Sequence, residues 1–367
     1  MMAKILFNRE RLLKAIQAVD PVVPSRCPKE VLQHMLLQFE CSGCWLCGND
    51  FEVEIRHPVE ATYSEFGSVL LPIQTRQILS EMRCDEVTFE VEDKLLRISA
   101  PGIQFELPTT SPDEFPSVAA FAEEEFVEVS SADLRRAIQR TLIAVDPNAT
   151  RYALGGVAFS WGGSDSIHLV ATDGRRLAIE SIDKLAGTLA PEVATHVVPV
   201  KASALLPKCL PDDSSRVAFC FSGNSVSFRC GEITIRCRLL EGRFPKWGDV
   251  IPKSFDRVAV CSASVLATLS RQALVVCSAE SRGVNYEFSE NALTVSAKST
   301  DGQSRCEGVV SFGSDPLTVC LDPKMVLDAL KVLPSDASIA WQMNKPGTTV
   351  MLSVDNFRYV QMPLSKE

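Results

Sequence analysis

The chain has 367 residues, 46% of them hydrophobic, and a formal charge of −9, which gives ample core for two or three soluble domains. No run of about 18 apolar residues occurs, which excludes a membrane-spanning helix. The N-terminal MMAKILFNRERLLK lacks the apolar stretch of a secretory signal, so a cytoplasmic location is expected.

A strand, Lys4 to Asn8, opens the chain and leads into a predicted helix RERLLKAIQAV with Leu12, Ala15, Ile16 and Val19 on one face. FVEVSS followed by ADLRRAIQRTLIA repeats this unit, with AIQ at Ala137 to Gln139 answering AIQ at Ala15 to Gln17, an offset of 122 residues. RVAVCS followed by ASVLATLSRQAL is a third, weaker copy, and Ser131 and Ser262 are expected as helix N-caps. A second strand–helix unit also occurs three times: LLPIQTRQILSEM from Leu70, VVPVKASALLPKC from Val197 and TVCLDPKMVLDAL from Thr318. Pro207 is expected to kink or restrict the middle copy.

Alternating strands close each copy, with turns expected at Glu92-Asp93, Gly223-Asn224 and Pro346-Gly347. The first two copies end in related exits, DEFP (Phe115, Pro116) and GRFP (Phe244, Pro245). Three α+β domains follow, spanning 1–124, 125–254 and 255–367, each with two helices against antiparallel sheets.

Between the second pair of helices lies LVATDGRRLAIE, Leu169 to Glu180, which reads as a hairpin turning at Asp173-Gly174. Two arginines directly after the turn, Arg175 and Arg176, are not required by a hairpin.

Charge is sorted by element. The six predicted helices and their ends carry thirteen basic and five acidic residues, a surplus of eight, which leaves −17 on the rest of the chain. A basic helical surface facing a polyanion, with an acidic exterior, accounts for this better than the overall −9, which alone argues against nucleic acid. Contacts of that kind go to phosphates and carry no sequence information.

Signs of catalysis or metal binding are weak. Thirteen cysteines, an odd number scattered through strand-like runs, predict free thiols. Cys41, Cys44 and Cys47 (CSGCWLC) look like part of a zinc site but have no fourth ligand at close spacing. His34, His57, His168 and His196 are far apart, and no catalytic triad, HExxH or Gly-rich phosphate loop occurs. Neither an enzyme, a metal nor a cofactor is expected.

TRYALGG at Thr150 to Gly156, VATDGRRLA at Val170 to Ala178, EGRFPKW at Glu241 to Trp247 and YVQMPL at Tyr359 to Leu364, in this order across a threefold repeat, resemble the bacterial β sliding clamps of DNA polymerase III. The resemblance runs essentially end to end. It implies the DNA clamp fold, closed into a ring by a head-to-tail homodimer whose helices line a hole around duplex DNA. Such a ring confers processivity on a replicative DNA polymerase, is loaded by an ATP-dependent clamp loader, and docks other polymerases and repair proteins through short peptide motifs.

Carried over residue by residue, the implied peptide pocket comprises Leu154, Thr172, Gly174, Arg175, Arg176, Leu177, Pro245, Val250, Val360, Met362, Pro363 and Leu364. The implied DNA-facing set is Arg26, Arg76, Arg83, Arg135, Arg136, Arg140, Asn148 and Lys201. Phe105 in the first domain and Val275 and Val276 in the third match the apolar positions of the ring interface. Arg175, Asp249 and the tail Ser365-Lys366-Glu367 depart from the family pattern and imply a retuned peptide preference. A clamp-derived peptide-binding scaffold that does not encircle DNA is the alternative, favoured by the zero net charge over Asp322 to Leu333. A hydrolase built on Asp173, Arg175 and Arg176 lacks a recognisable base or nucleophile.

Overall fold

The computed structural model describes residues 3–92, 94–116, 121, 126–146, 148, 152–162, 166–188, 194–277, 283–300 and 302–364. The second residue of the Glu92-Asp93 turn, Thr150 and Arg151 of TRYALGG, and the Ser365-Lys366-Glu367 tail lie outside them.

The six helices fall where the periodicity places them: α1 Arg9–Val19, α2 Gln74–Glu81, α3 Ser131–Leu142, α4 Val200–Cys209, α5 Ala263–Leu274 and α6 Pro323–Lys331. Leu12, Ala15, Ile16 and Val19 are the buried face of α1, and Asn8 caps it by accepting from Arg11 N. Ser262 caps α5 as expected. Ser131 is instead the first residue of α3, and its hydroxyl donates to the Pro211 carbonyl at 2.6 Å. Pro207 sits in the last turn of α4, which runs on to Cys209, with Leu210 N still bonded to Leu206 O at 2.9 Å. So late in the helix, a proline forfeits one backbone bond and does not end the element.

Among the described residues the strands are antiparallel and form four sheets, two in each of two compact units. The first unit comprises Met1–Ala132, Leu185–Leu189 and Leu205–Leu239. Its five-stranded sheet runs Ala61–Tyr63, Ala3–Asn8, Glu86–Glu92, Leu95–Ala100, Ile103–Pro108, and its nine-stranded sheet runs from Ala186–Gly187 to Gly67–Pro72. At the middle of the larger sheet Val53–Pro58 from the first repeat pairs with Ile233–Arg238 from the second.

The second unit comprises Asp133–Lys184, Ala190–Ala204 and Leu240–Glu367. In its eight-stranded sheet Arg176–Asp183 from the second repeat pairs with Phe357–Gln361 from the third. Its four-stranded sheet runs Gly302–Val309, Ala292–Ser299, Val284–Ser289, Leu317–Leu321. Helices α5 and α6 bury Leu266, Leu269, Val326 and Leu330, and Tyr286, Phe288, Phe312 and Trp341 form an aromatic cluster with centroids 5.2–5.7 Å apart. Compactness thus follows the sheets, each larger one joining strands of two repeats, and does not follow the repeat boundaries.

Candidate functional site

The hairpin that carries the two arginines lies in the second unit. Thr172 pairs with Leu177, so the loop is four residues, Asp173 to Arg176, where the sequence suggested a tight two-residue turn. Its own side chains hold it. Asp173 Oδ1 accepts Arg175 N and Arg176 N at 2.9 and 3.0 Å, and Thr172 Oγ1 accepts Gly174 N at 3.1 Å while donating to Arg176 O. Gly174 has φ +87°, a conformation glycine adopts without steric cost.

The two arginines have different fates. Arg175 is exposed. Arg176 is clamped: its Nε donates to Asp173 Oδ2 and a terminal nitrogen to Asp328 Oδ2 on α6, each at 2.9 Å, with the side chain 13% exposed. Burial opposes its charge, but Tyr359, Asp328 and Asp173 outweigh that and raise its pKa. Arg176 is therefore a strut that fixes the loop on α6, and the adaptable cation at this site is Arg175.

Beneath the loop is a cavity of about 320 Å³, lined by Leu154, Thr172, Gly174, Arg175, Arg176, Leu177, Pro245, Trp247, Val250, Thr349, Val360 and Met362. Its floor is continuous with a buried cluster that includes Val170, Leu177, Phe244, Met351 and Val360. Val250 and Met362, more than half exposed, stand at its rim. An apolar floor below exposed apolar rim residues and one exposed cation suits extended chains with apolar anchors.

Ten of the twelve sequence-derived pocket residues line this cavity. Pro363 and Leu364 do not: after Met362 the chain turns so that Leu364 N bonds Cys320 O at 2.8 Å, and the Leu364 side chain lies against Gly283. Trp247 and Thr349 were missed. Trp247 closes the EGRFPKW motif and its spacing could have flagged it, whereas Thr349 precedes its strand by one residue and carries no local signal.

The basic residues separate into surface and interior. In the first unit Arg26 and Arg83 are exposed, and Arg76 on α2 pairs with Asp20 while remaining half exposed. In the second, Arg135 is partly exposed, and Asn148 and Lys201 are exposed. Arg136 bridges Asp133 at 2.7 Å and Glu180 at 3.2 Å. Arg140 is a correction: its side chain is only 7% exposed, bound to Glu180, itself 1% exposed, at 3.1 Å. It neutralises a carboxylate inside the fold and does not reach the surface. Glu180 falls in phase with Ala178 and Ile182 on its strand, but nothing in the sequence shows which helix faces it.

Each smaller sheet ends on an exposed edge strand. In the first unit this is Ile103–Pro108, with Phe105 37% exposed. In the second it is Gly302–Val309, with Val309 81% exposed. Val275 follows α5 and is 83% exposed, and Val276 packs partly near Gly302. Unpaired edges with apolar side chains are templates for a further strand.

Cys44 and Cys47 lie an odd number of residues apart on Gly43–Asn49, so they face opposite sides of the sheet, and Cys41 is in the turn before it. Burial pushes both strand thiols up to about 12, far from the thiolate a metal needs. Among the described residues no group of three or more metal-ligating side chains converges.

Solved structures of DNA sliding clamps share this fold. A sliding clamp (DNA polymerase III subunit beta) from Pseudomonas aeruginosa bound to griselimycin matches with a TM-score of 0.92 at 26% identity over the whole of both chains. The Bacillus subtilis sliding clamp matches in fold with a TM-score of 0.91 at 21% identity, again over both whole chains. Among curated proteins, the beta sliding clamp of Pseudomonas aeruginosa is 27% identical over 97% of this chain and 98% of its own, and that of Synechococcus elongatus 27% identical over 95% of each.

The molecule is thus a three-domain clamp of the α+β class. Models of the DNA polymerase III beta subunit match in succession, the N-terminal domain over residues 3–119, the central domain over 128–246 and the C-terminal domain over 248–365. The chain belongs to the DNA polymerase III beta subunit family, and it is a processivity clamp rather than an enzyme.

Proposed function

We propose that two copies of the chain close head to tail, the Ile103–Pro108 edge of one against the Gly302–Val309 edge of the other, into a ring that encircles duplex DNA in the cytoplasm. Phe105, Val275 and Val276, joined by Val309, supply the apolar contacts of these two heterologous junctions. The domains of the repeat span 1–124, 125–254 and 255–367. Arg26, Arg76, Arg83, Arg135, Arg136, Asn148 and Lys201 meet DNA phosphates, Arg140 being spent on Glu180. Because a ring holds DNA topologically, these contacts need only be weak and uniform, which permits sliding.

The cavity under the Asp173–Arg176 loop receives short peptides of a replicative DNA polymerase, an ATP-dependent clamp loader and other polymerases and repair proteins. The observation that carries this reading is the apolar 320 Å³ cavity with one uncommitted arginine at its rim. Arg175 selects an acidic group beside the apolar anchors, while Arg176 keeps the loop in register.

Fluorescence anisotropy with a short labelled peptide carrying Leu and Phe anchors and one Asp tests it. Met362→Asp should weaken binding at least about tenfold, the scale of 1.4 kcal/mol, and Arg175→Gln should remove the preference for the Asp-bearing over an Asn-bearing peptide. Unchanged affinity in both variants would place peptide binding elsewhere.

A further inference from the structure

The loop that roofs this cavity occurs twice. In the first unit, Asn49 pairs with Glu54 as Thr172 pairs with Leu177, enclosing the same four-residue loop. Phe51 N donates to Asn49 Oδ1 at 2.7 Å, as Gly174 N does to Thr172. Asp50 Oδ1 accepts Glu52 N and Val53 N at 3.0 and 2.7 Å, as Asp173 does for Arg175 and Arg176. Arg238 N bonds Glu52 O at 3.0 Å, as Met362 N bonds Arg175 O at 2.9 Å. Glu54 faces Arg236 across the sheet as Leu177 faces Val360. Under this second loop is a second cavity, of about 250 Å³, with Pro116 and Ser225 in the places of Pro245 and Thr349.

Its chemistry is inverted. Glu54, Arg236 and Arg238 stand where the first cavity has Leu177, Val360 and Met362, and Glu52 stands in place of Arg175. Two further features point to a ligand. Glu54 Oε2 is buried without a hydrogen bond, an acceptor that a bound donor would satisfy. Phe51 holds φ +72° where the other loop has glycine, and its ring is 51% exposed. Phe51 keeps a left-handed conformation that a bulky residue rarely adopts, with the Lys29 ammonium 5.8 Å from its ring centroid, so the half-exposed ring already presents a face to a cation.

We propose that this cavity is a second docking site, for a peptide segment that presents a lysine or arginine beside a carboxylate. The cation takes Glu54 Oε2 and Glu52, the carboxylate takes Arg238 and Arg236, and the cation's stem lies on the Phe51 ring. The site borrows from the apolar cavity only the idea that this loop receives peptides, and its partners are of a different, polar class.

The probe is fluorescein-labelled Gly-Gly-Ser-Asp-Arg, titrated with the full chain at low salt against the neutral match Gly-Gly-Ser-Asn-Gln. Saturable binding of the charged probe alone is expected, weakened at least tenfold by E54Q and by R238Q and untouched by M362D. F51G should raise Tm by relieving the backbone while weakening the probe, a split that a purely structural role for Phe51 does not produce. An apolar Leu- and Phe-containing peptide in the same samples keeps failure of the first cavity distinct from failure of this one. Equal binding of both probes, indifference to E54Q, or loss with M362D would overturn the proposal.

Discussion

Arg176 shows how one side chain can matter to a binding site by holding its loop in place. Its guanidinium ties Asp173 in the loop to Asp328 on α6, and Lys331 shares that aspartate at 3.1 Å. Asp328→Ala should cost about 1–2 kcal/mol of stability, a partly buried charged hydrogen bond, and weaken the Leu/Phe peptide a few-fold with the Asp preference intact. Thermal melts and anisotropy read the two effects separately, and an abolished Asp preference would mean that Arg176, not Arg175, reads the acid. Histidines give a second residue-scale test. Burial lowers the pKa of His57 and His196, and burial together with Arg358 lowers that of His168, from 6.5. The unfolded chain then binds more protons than the folded one in the window just below 6.5, so stability falls as pH drops through it and levels off below the folded pKa values. Tm measured from about pH 7.5 to 5.5 should decline, and His168→Gln should shallow the slope; an unaltered slope in that variant would contradict the assignment.

At the scale of elements, much was legible and the exceptions have physical causes. Helix periodicity located the six helices because each buries one face. The Asp-Gly signal found the hairpin but not its length, since the Thr172 and Asp173 side chains stabilise a longer loop that backbone preference alone does not select. Arg140 looked like its surface neighbours because charge on a helix says nothing of which strand faces it, and Glu180 lies 40 residues away. Pro363 and Leu364 sit next to pocket residues in sequence but are drawn off by Cys320 O, a contact invisible to local pattern. The distinction between interior and surface arginines predicts opposite phenotypes. Arg140→Ala leaves the buried Glu180 with only the part-exposed Arg136 as partner and should cost about 1–3 kcal/mol, read as a clear drop in Tm. Replacing the exposed Arg83 with alanine (Arg83→Ala) should leave Tm nearly unchanged and reduce the salt dependence of DNA binding, and a reversed pattern would refute the assignment.

At the scale of the whole molecule, the sheets divide the chain into two units while sequence and family models divide it into three, because strand pairing joins successive repeats edge to edge. The edge strands Ile103–Pro108 and Gly302–Val309, one in the smaller sheet of each unit, are the ones the proposed head-to-tail dimer consumes. Phe105→Asp or Val309→Asp should shift light-scattering mass from twice the 40.2 kDa chain toward a single chain, with peptide binding retained; a persistent dimer in both would move the interface elsewhere. The central claim is topological, and retention on DNA addresses it most directly. The protein is loaded by its clamp loader and ATP onto closed circular and linearised DNA at matched salt. A closed ring predicts retention on circles and loss from free ends, whereas equal retention on both, or loss that follows salt alone, would show ordinary electrostatic binding and contradict encirclement.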